Sequence, residues 1–597
     1  MEGGAALSPV PGPDDEADLP RVPLPELDRT AELFLAWCRP LVTDDQYQET
    51  VAALSAFVGG PGPTLQAELA TYDRSGSFSW LDDFWRRRYL GRRVPIAINA
   101  NFMFLFVDRP GGQVERATRL IGAALDYERQ IATGALPRAS VRGRRLSTVQ
   151  NRYLFSATRN PGLQIDESRN PYSAQWPGPS DARHIVVFRR GQAYEVTVRD
   201  EAGADLPAFV VAEALDAIRT QDQAGPGLGA LTTLPRAEWS VVRDGLLQGP
   251  SGIAESLDVI ERALFAVALE ADSPASTEAA ADALLAGDSR NRWFDKAITL
   301  IVFADGQAGL NGEHCNLDGT TVIGLVDHLA AAEVAGDDSV PSGGLGADAP
   351  GPRALWSTPE PELADLIDRA RHDFDRFAAE SASRLVQIDE LGSDQIRAAG
   401  VSPDAFVQLA MQLAQARSRG AIGATYESIS TRPFRHGRTE AMRVVTPEIV
   451  DFVATMQRPD ASAQDKRAAF DSAAAAHGTR VRECQQGDAP EQHLWALQML
   501  AEQQPDRYPD PMPLFSSPGW LVMRDDRLST SGVPSVNVQY FGFGATSPTC
   551  IGVGYGTLPD CIRVYLSTPQ AVADQMDAFA VAFSEAVEEL FGLVTST

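Results

Sequence analysis

Ile298-Thr299-Leu300-Ile301-Val302-Phe303 leads, past an Ala304-Asp305-Gly306 turn signal, to Gly312-Glu313-His314-Cys315-Asn316-Leu317-Asp318-Gly319. The first run is apolar and rich in β-branched residues, as a buried strand requires. The second is polar and bounded by glycines, as a loop requires. Imidazole, with an ordinary pKa of about 6.5, is the side chain best suited to take and return a proton near neutral pH. His314 is therefore a candidate general base. A histidine beside a glutamate is by itself more often a surface or satisfied core residue, so its role depends on what surrounds it.

Strand-like and helix-like segments alternate along the rest of the chain, which gives an α/β class. Helical patterns cover 28–38 and 44–58, and Asp82 to Leu90 carries Trp85 with Arg86-Arg87-Arg88. Three adjacent arginines read, by themselves, as a solvated helix face. His184–Arg189 and 193–198 read as a hairpin, and 207–220 as a helix. Residues 251–269 read as one long amphipathic helix. The span 331–361, rich in Ala, Asp, Gly, Pro and Ser, is the best internal boundary. Beyond it, Ser402-Pro403-Asp404 carries an N-cap, a first-turn Pro and a first-turn acid, and Gly420 closes the helix they open. Strands are expected at 535–541, 550–555 and 562–567, then a final helix over 570–593.

Composition narrows the function classes. The 597 residues are 44% hydrophobic, enough for at least two domains. A net charge of -28 argues against non-specific binding of nucleic acid or anionic membranes. Five scattered cysteines, with no Cys-x-x-Cys pair, fit a reducing cytoplasm rather than a disulfide framework or structural zinc. No apolar run approaches the roughly 20 residues that span a bilayer. The acidic, Pro- and Gly-rich start lacks a signal-peptide pattern.

Five motifs occur in order: 151–162 (NRYLFSATRNPG), 309–319 (GLNGEHCNLDG), 424–428 (ATYES) with 437–439 (GRT), 528–532 (LSTSG) and 540–544 (YFGFG). Together with 19–27 (LPRVPLPEL), Trp85, Tyr89-Leu90, 291–296 (NRWFDK) and 402–413 (SPDAFVQLAMQL), they make the chain resemble the choline/carnitine O-acyltransferase family over nearly its whole length. The resemblance implies a monomer of two similar chloramphenicol-acetyltransferase-like α/β domains. Their mixed sheets are flanked by helices, and a tunnel at the interface holds the active site. It divides the chain into a disordered leader (1–18), N-terminal helices that pack with the C-terminal domain (19–92), an N-domain with the catalytic histidine (93–360) and a C-domain (361–597).

The implied activity moves an acyl group, with acyl-CoA as cosubstrate and no metal or permanently bound cofactor. His314 falls on the catalytic position and Ser531 on that of the hydroxyl steadying the tetrahedral oxyanion. Asp318 matches a carboxylate near the histidine, there to orient the ring, to favour its protonated form or simply to cap the loop. On the donor side, Arg397 matches a basic residue for the CoA 3′-phosphate, and Asp404 and Glu427 match positions touching the pantetheine and nucleotide. The companion basic position is Ser393, which keeps a carrier-protein thioester open as donor.

Carnitine enzymes hold their acceptor's carboxylate with a Tyr, a Thr and an Arg. Tyr426 and Thr439 match the first two, and Ser529 adds a hydroxyl. The arginine position reads as Gln492, which removes a charge-assisted pairing. Neighbouring His493 is at most a weak substitute. Phe543 offers an aromatic face to a quaternary ammonium. Phe541 stands where bulk limits acyl length, favouring short chains, and a one-residue register shift would present Gly542 instead. The implied reaction is O-acyl transfer to carnitine or a related amino-alcohol. A tailoring acyltransferase with another alcohol, or a non-catalytic scaffold, are the competing readings.

Overall fold

The computed structural model describes the chain apart from residues 1–15, 76–77, 142, 250, 315, 336–350, 357–358, 509–510 and 597. Two large mixed sheets organise it. The eight-stranded sheet runs Arg353–Ala354, Gln192–Thr197, His184–Arg189, Ala266–Leu269, Ile298–Val302, Ala308–Gly312, Phe102–Phe106 and Val538–Phe543. The six-stranded sheet runs Ser381–Ile388, Ile562–Pro569, Ile551–Thr557, Leu528–Gly532, Thr425–Ser430 and Thr439–Arg443. Each contains two parallel pairings among antiparallel ones. The two halves are therefore similar, mixed sheets flanked by helices, as the α/β reading expects.

The Ile298–Val302 strand is buried at every position, between a parallel neighbour and the antiparallel Ala308–Gly312 strand. That burial on both faces explains its nearly continuous apolar sequence, interrupted only by Thr299. The same effect misleads at 251–269. The helix is only Ser251–Arg262, and Ala266–Leu269 is a separate buried strand. A short apolar run buried on both faces has no alternation to distinguish it from helix.

The Val538–Phe543 strand, late in the chain, adds to the edge of the first sheet by pairing antiparallel with Phe102–Phe106. It brings Phe541 opposite Phe104 and Phe543 opposite Phe102. The halves are thus joined by a shared sheet as well as by side chains. Near the N-terminus, Phe34 packs on Trp520 and Phe57 on Phe515, so the early helices belong to the core of the second half.

Of the expected leader, residues 1–15 lie outside the described residues, but 16–18 form an anchored turn. Buried Glu16 accepts hydrogen bonds from the Ser147 hydroxyl and the Val149 amide, at 2.7 and 2.9 Å, because the carboxylate satisfies donors left open at the start of a helical turn. The boundary span 331–361 begins inside the Gly319–Ala335 helix, and its 336–350 part is outside the described residues. Nor are the three arginines a solvated face. They are half-buried, and Arg88 stacks on Trp85 and Trp495 at 5.7 and 5.3 Å. The four described cysteines are buried and unpaired. Among the described residues no helix is long and apolar enough to cross a membrane.

A buried ion network ties the helix Asp82–Leu90 to the loop that carries His314. Asp166 accepts from Arg159 at 2.6 Å, Arg236 at 2.7 Å and Arg93 at 2.8 Å. Arg159 extends this to Glu313 at 3.0 Å and to the Tyr89 carbonyl at 2.7 Å. Burial alone would raise the Asp166 pKa, but Arg236 and Arg159 reverse that and hold the carboxyl below its ordinary value. Removing the carboxylate leaves buried guanidinium groups uncompensated, which costs about 3–5 kcal/mol. Asp166→Ala is therefore expected to lower the unfolding free energy measured by chemical denaturation by that amount, whereas Asp28→Ala, at an exposed position of the first helix, leaves it nearly unchanged. Equal, small effects from both variants would contradict the network's role.

Candidate active site

His314 leaves the Ala308–Gly312 strand at the mouth of the first sheet. Its ring packs between aromatic neighbours: Tyr89 at 4.7 Å and the edge of Phe102 at 5.4 Å. Tyr89 Oη lies 3.4 Å from His314 Nε2. Gly312 is required for this approach, since a β-carbon there would stand 2.7 Å from the Phe102 ring. Glu313 turns the opposite way, to Arg159.

Asp318 sits just ahead of the Gly319–Ala335 helix. Arg438, from the hairpin of the other sheet, donates to it twice, from Nε at 2.8 Å and Nη2 at 2.9 Å. Gln150 adds a donor to the carboxylate at 2.8 Å and accepts from the Asp318 amide at 2.7 Å. The Asp318 carboxylate is 3.7 Å from His314 Nδ1, too far for a hydrogen bond. Burial would raise the Asp318 pKa, but the Arg438 guanidinium overrides it and holds the carboxyl at about 2. Burial also pushes His314 down, with Asp318 opposing and Arg438 reinforcing that shift. The net direction is downward. The ring is neutral at pH 7, the form that accepts a proton.

These residues open onto a cavity of about 170 Å³ whose walls come from both sheets. In Thr425–Ser430, strand alternation turns Tyr426, Ser428 and Ser430 to the cavity. The neighbouring Leu528–Gly532 strand lines it with every residue from Ser529 to Gly532, Ser531 among them. Thr439, Phe541 and Phe543 complete that side. Gly542 faces away, where a β-carbon would meet Tyr565 at 2.3 Å, so the register presents Phe541 and not the glycine. The structure therefore brings His314, Asp318, Tyr426, Thr439, Ser529, Ser531, Phe541 and Phe543 to one cavity.

Four expected site residues lie elsewhere. Glu427 alternates to the opposite face of its strand, where it stands 3.1 Å from His477 Nε2. Burial and the nearby Asp404 raise the Glu427 pKa, and the contact with Glu427 raises that of His477 against the effect of burial. Asp404, in the first turn of Pro403–Arg419, accepts from the Tyr555 hydroxyl at 2.8 Å. Asp404, Glu427 and His477 offer ligand atoms within 4.8 Å of one another, the sole group of described residues with the spacing to hold a metal ion. Arg397 is an exposed side chain that donates to Ser393 at 2.8 Å and Asp394 at 3.1 Å. Gln492 is fully buried and does not line the cavity. Its amide side chain has no hydrogen-bond partner among the described residues, and its backbone N–H donates to Glu440, whose carboxyl burial and Glu491 push up to about 8. His493 is no source of charge. It contacts Thr30 and Gln66 at 2.7 Å, and burial pushes its pKa down to about 3.

Sequence reading missed Tyr89, Arg92, Gln150 and Arg438. Tyr89 and Arg438 sit inside motifs already singled out by sequence, so position was the available signal. Gln150 precedes its motif by one residue and gave none.

The chain matches the family model described as "Choline/Carnitine o-acyltransferase" over residues 22–585. It is 30% identical to the carnitine O-acetyltransferase of Columba livia, over 96% of this chain and 92% of that protein. It is 28% identical to the peroxisomal carnitine O-octanoyltransferase of Mus musculus, over 87% of each. Against the choline O-acetyltransferase of Rattus norvegicus it is 28% identical, over 96% of this chain and 91% of that one. With a match of this extent, the chain is an acyltransferase and belongs to the choline/carnitine O-acyltransferase family.

Proposed function

We propose that the protein moves a short acyl group between a CoA thioester and the hydroxyl of carnitine or a related small amino-alcohol. The carrying observation is the neutral imidazole of His314 on a cavity that also holds the Ser531 hydroxyl. His314 Nε2 takes the acceptor's hydroxyl proton as its oxygen attacks the thioester carbonyl. The carbonyl oxygen becomes an oxyanion and accepts a hydrogen bond from Ser531, a contribution typically of about 10²–10³ in rate. The intermediate collapses, the C–S bond breaks, and the leaving thiolate recovers the proton from the imidazolium. Thioesters are reactive enough for this to proceed without an acyl-enzyme.

Asp318 acts on this step at a distance. It raises the basicity of His314, Arg438 offsets part of that effect, and burial outweighs it, which keeps the ring unprotonated in the ground state. Tyr426, Thr439 and Ser529 offer hydroxyls to the acceptor, and Phe543 an aromatic face. Arg397, Asp404 and Glu427 remain the proposed donor-side contacts. The pairing of exposed Arg397 with Asp394, beside Ser393, favours a second reading in which the donor thioester is borne by a carrier protein.

Thiol release from acetyl-CoA with carnitine present is the direct test. His314→Ala is expected to abolish it, by about 10³-fold or more, while the melting temperature stays near that of the parent. Full activity in a folded His314→Ala variant would overturn the mechanism.

Phe541 stacks on Phe104 at 5.1 Å and closes one wall of the cavity. Each buried methylene of a longer acyl chain is worth about 0.8 kcal/mol once space exists for it. Phe541→Ala is therefore expected to raise kcat/KM for octanoyl-CoA relative to acetyl-CoA by about 10-fold or more. An unchanged ratio would locate the acyl pocket elsewhere.

A further inference from the structure

We propose that Arg92 is a specificity-determining residue of this cavity, binding an anionic group carried by the acceptor alcohol. The inference rests on the acyl-transfer reading and names the acceptor chemistry that reading leaves open.

Three ionisable residues of Asp, Glu, His, Lys or Arg type line the cavity: Arg92, His314 and Asp318. Asp318 has its counter-ion in Arg438, bound twice. His314 is neutral at pH 7. Arg92 is left as the lining charge without an opposite partner. Among the described residues no carboxylate lies within 4.0 Å of it, and its one hydrogen bond runs from Nη1 to the Asn99 carbonyl at 2.8 Å. Its Nε and Nη2 donors have no acceptor among the described residues, yet they are not sealed from solvent as the orphaned Nε groups of Arg189 and Arg292 are. Burial lowers the Arg92 pKa, but an arginine remains protonated throughout the physiological range.

An unpaired guanidinium beside a partly enclosed cavity favours an anionic occupant, and its planar donors suit carboxylate or phosphate oxygens. The location is suitable. Arg92 stacks on Tyr89 at 5.3 Å, and the same tyrosine ring lies 4.7 Å from the His314 imidazole. An anion held at Arg92 is thus about one small molecule's length from the nitrogen that takes the hydroxyl proton. The amide at position 492 is buried away from the cavity and carries no charge. Positive charge therefore reaches the cavity from the segment just after the Asp82–Leu90 helix, not from the helix Glu491–Glu502. An acceptor bearing only a cationic group gains nothing from this arrangement and is repelled by it.

Isothermal titration of the full chain with L-carnitine and with L-carnitine methyl ester isolates the anion, because the two ligands share every other group. The parent is expected to bind the carboxylate form about 10-fold or more tightly than the ester. Arg92→Gln should abolish that preference, and Arg92→Lys should retain part of it. The proposal is overturned if the parent binds the ester as well as the acid, if it binds neither, or if Arg92→Gln keeps the preference. Thiol release from acetyl-CoA in the same parent preparation separates the two ideas. A preference for the acid with no thiol release would count against acyl transfer and leave the anion site standing.

Discussion

Arg438 reaches out of the six-stranded sheet's hairpin and closes two N–H groups on Asp318, at the head of a helix in the other half of the molecule. The pair is buried, so both charges depend on each other: either one alone would carry the full cost of desolvation. It fixes the relative position of the halves at the point where the cavity forms. It also bears on the electrostatics of His314: burial pushes the ring's pKa down, the carboxylate 3.7 Å away opposes that, and the guanidinium offsets part of the opposition. The pair thus stands both where the halves meet and beside the ring whose protonation state the proposed chemistry uses.

Around that pair, strand periodicity sorts the remaining residues. Tyr426, Ser428 and Ser430 face the cavity, whereas Glu427 faces the helices behind the sheet and meets His477. The sheet is therefore a partition with cavity-lining hydroxyls on one side and a buried acid–imidazole cluster on the other. The last strand of the first sheet alternates in the same way, with Phe541 and Phe543 toward the cavity and Gly542 pressed against Tyr565.

Much of this was legible in the sequence because local rules act over short distances. The Ser402 cap with Pro403 and the left-handed Gly420 bound a helix as expected, and the His184–Arg189 strand pairs with its successor in the hairpin that their spacing predicted. His314 and Ser531 stood out through motif order. What was not legible depends on through-space partners or on burial. Arg438 and Asp318 are 120 residues apart, and neither residue type announces the other. Ala266–Leu269 lost its signature by being buried on both faces. The charge balance of the cavity could not be judged from position 492 alone, because Arg92 approaches it from a segment 400 residues earlier.

The central claim is that burial, with Arg438 offsetting part of the pull of Asp318, leaves His314 a neutral base of lowered pKa. A pH titration of the His314 ring by NMR, with His314→Ala used to assign the resonance, measures this directly. The account predicts a midpoint below the ordinary value of about 6.5. A midpoint above 7 would mean that Asp318 acts on the ring unscreened, and would contradict it.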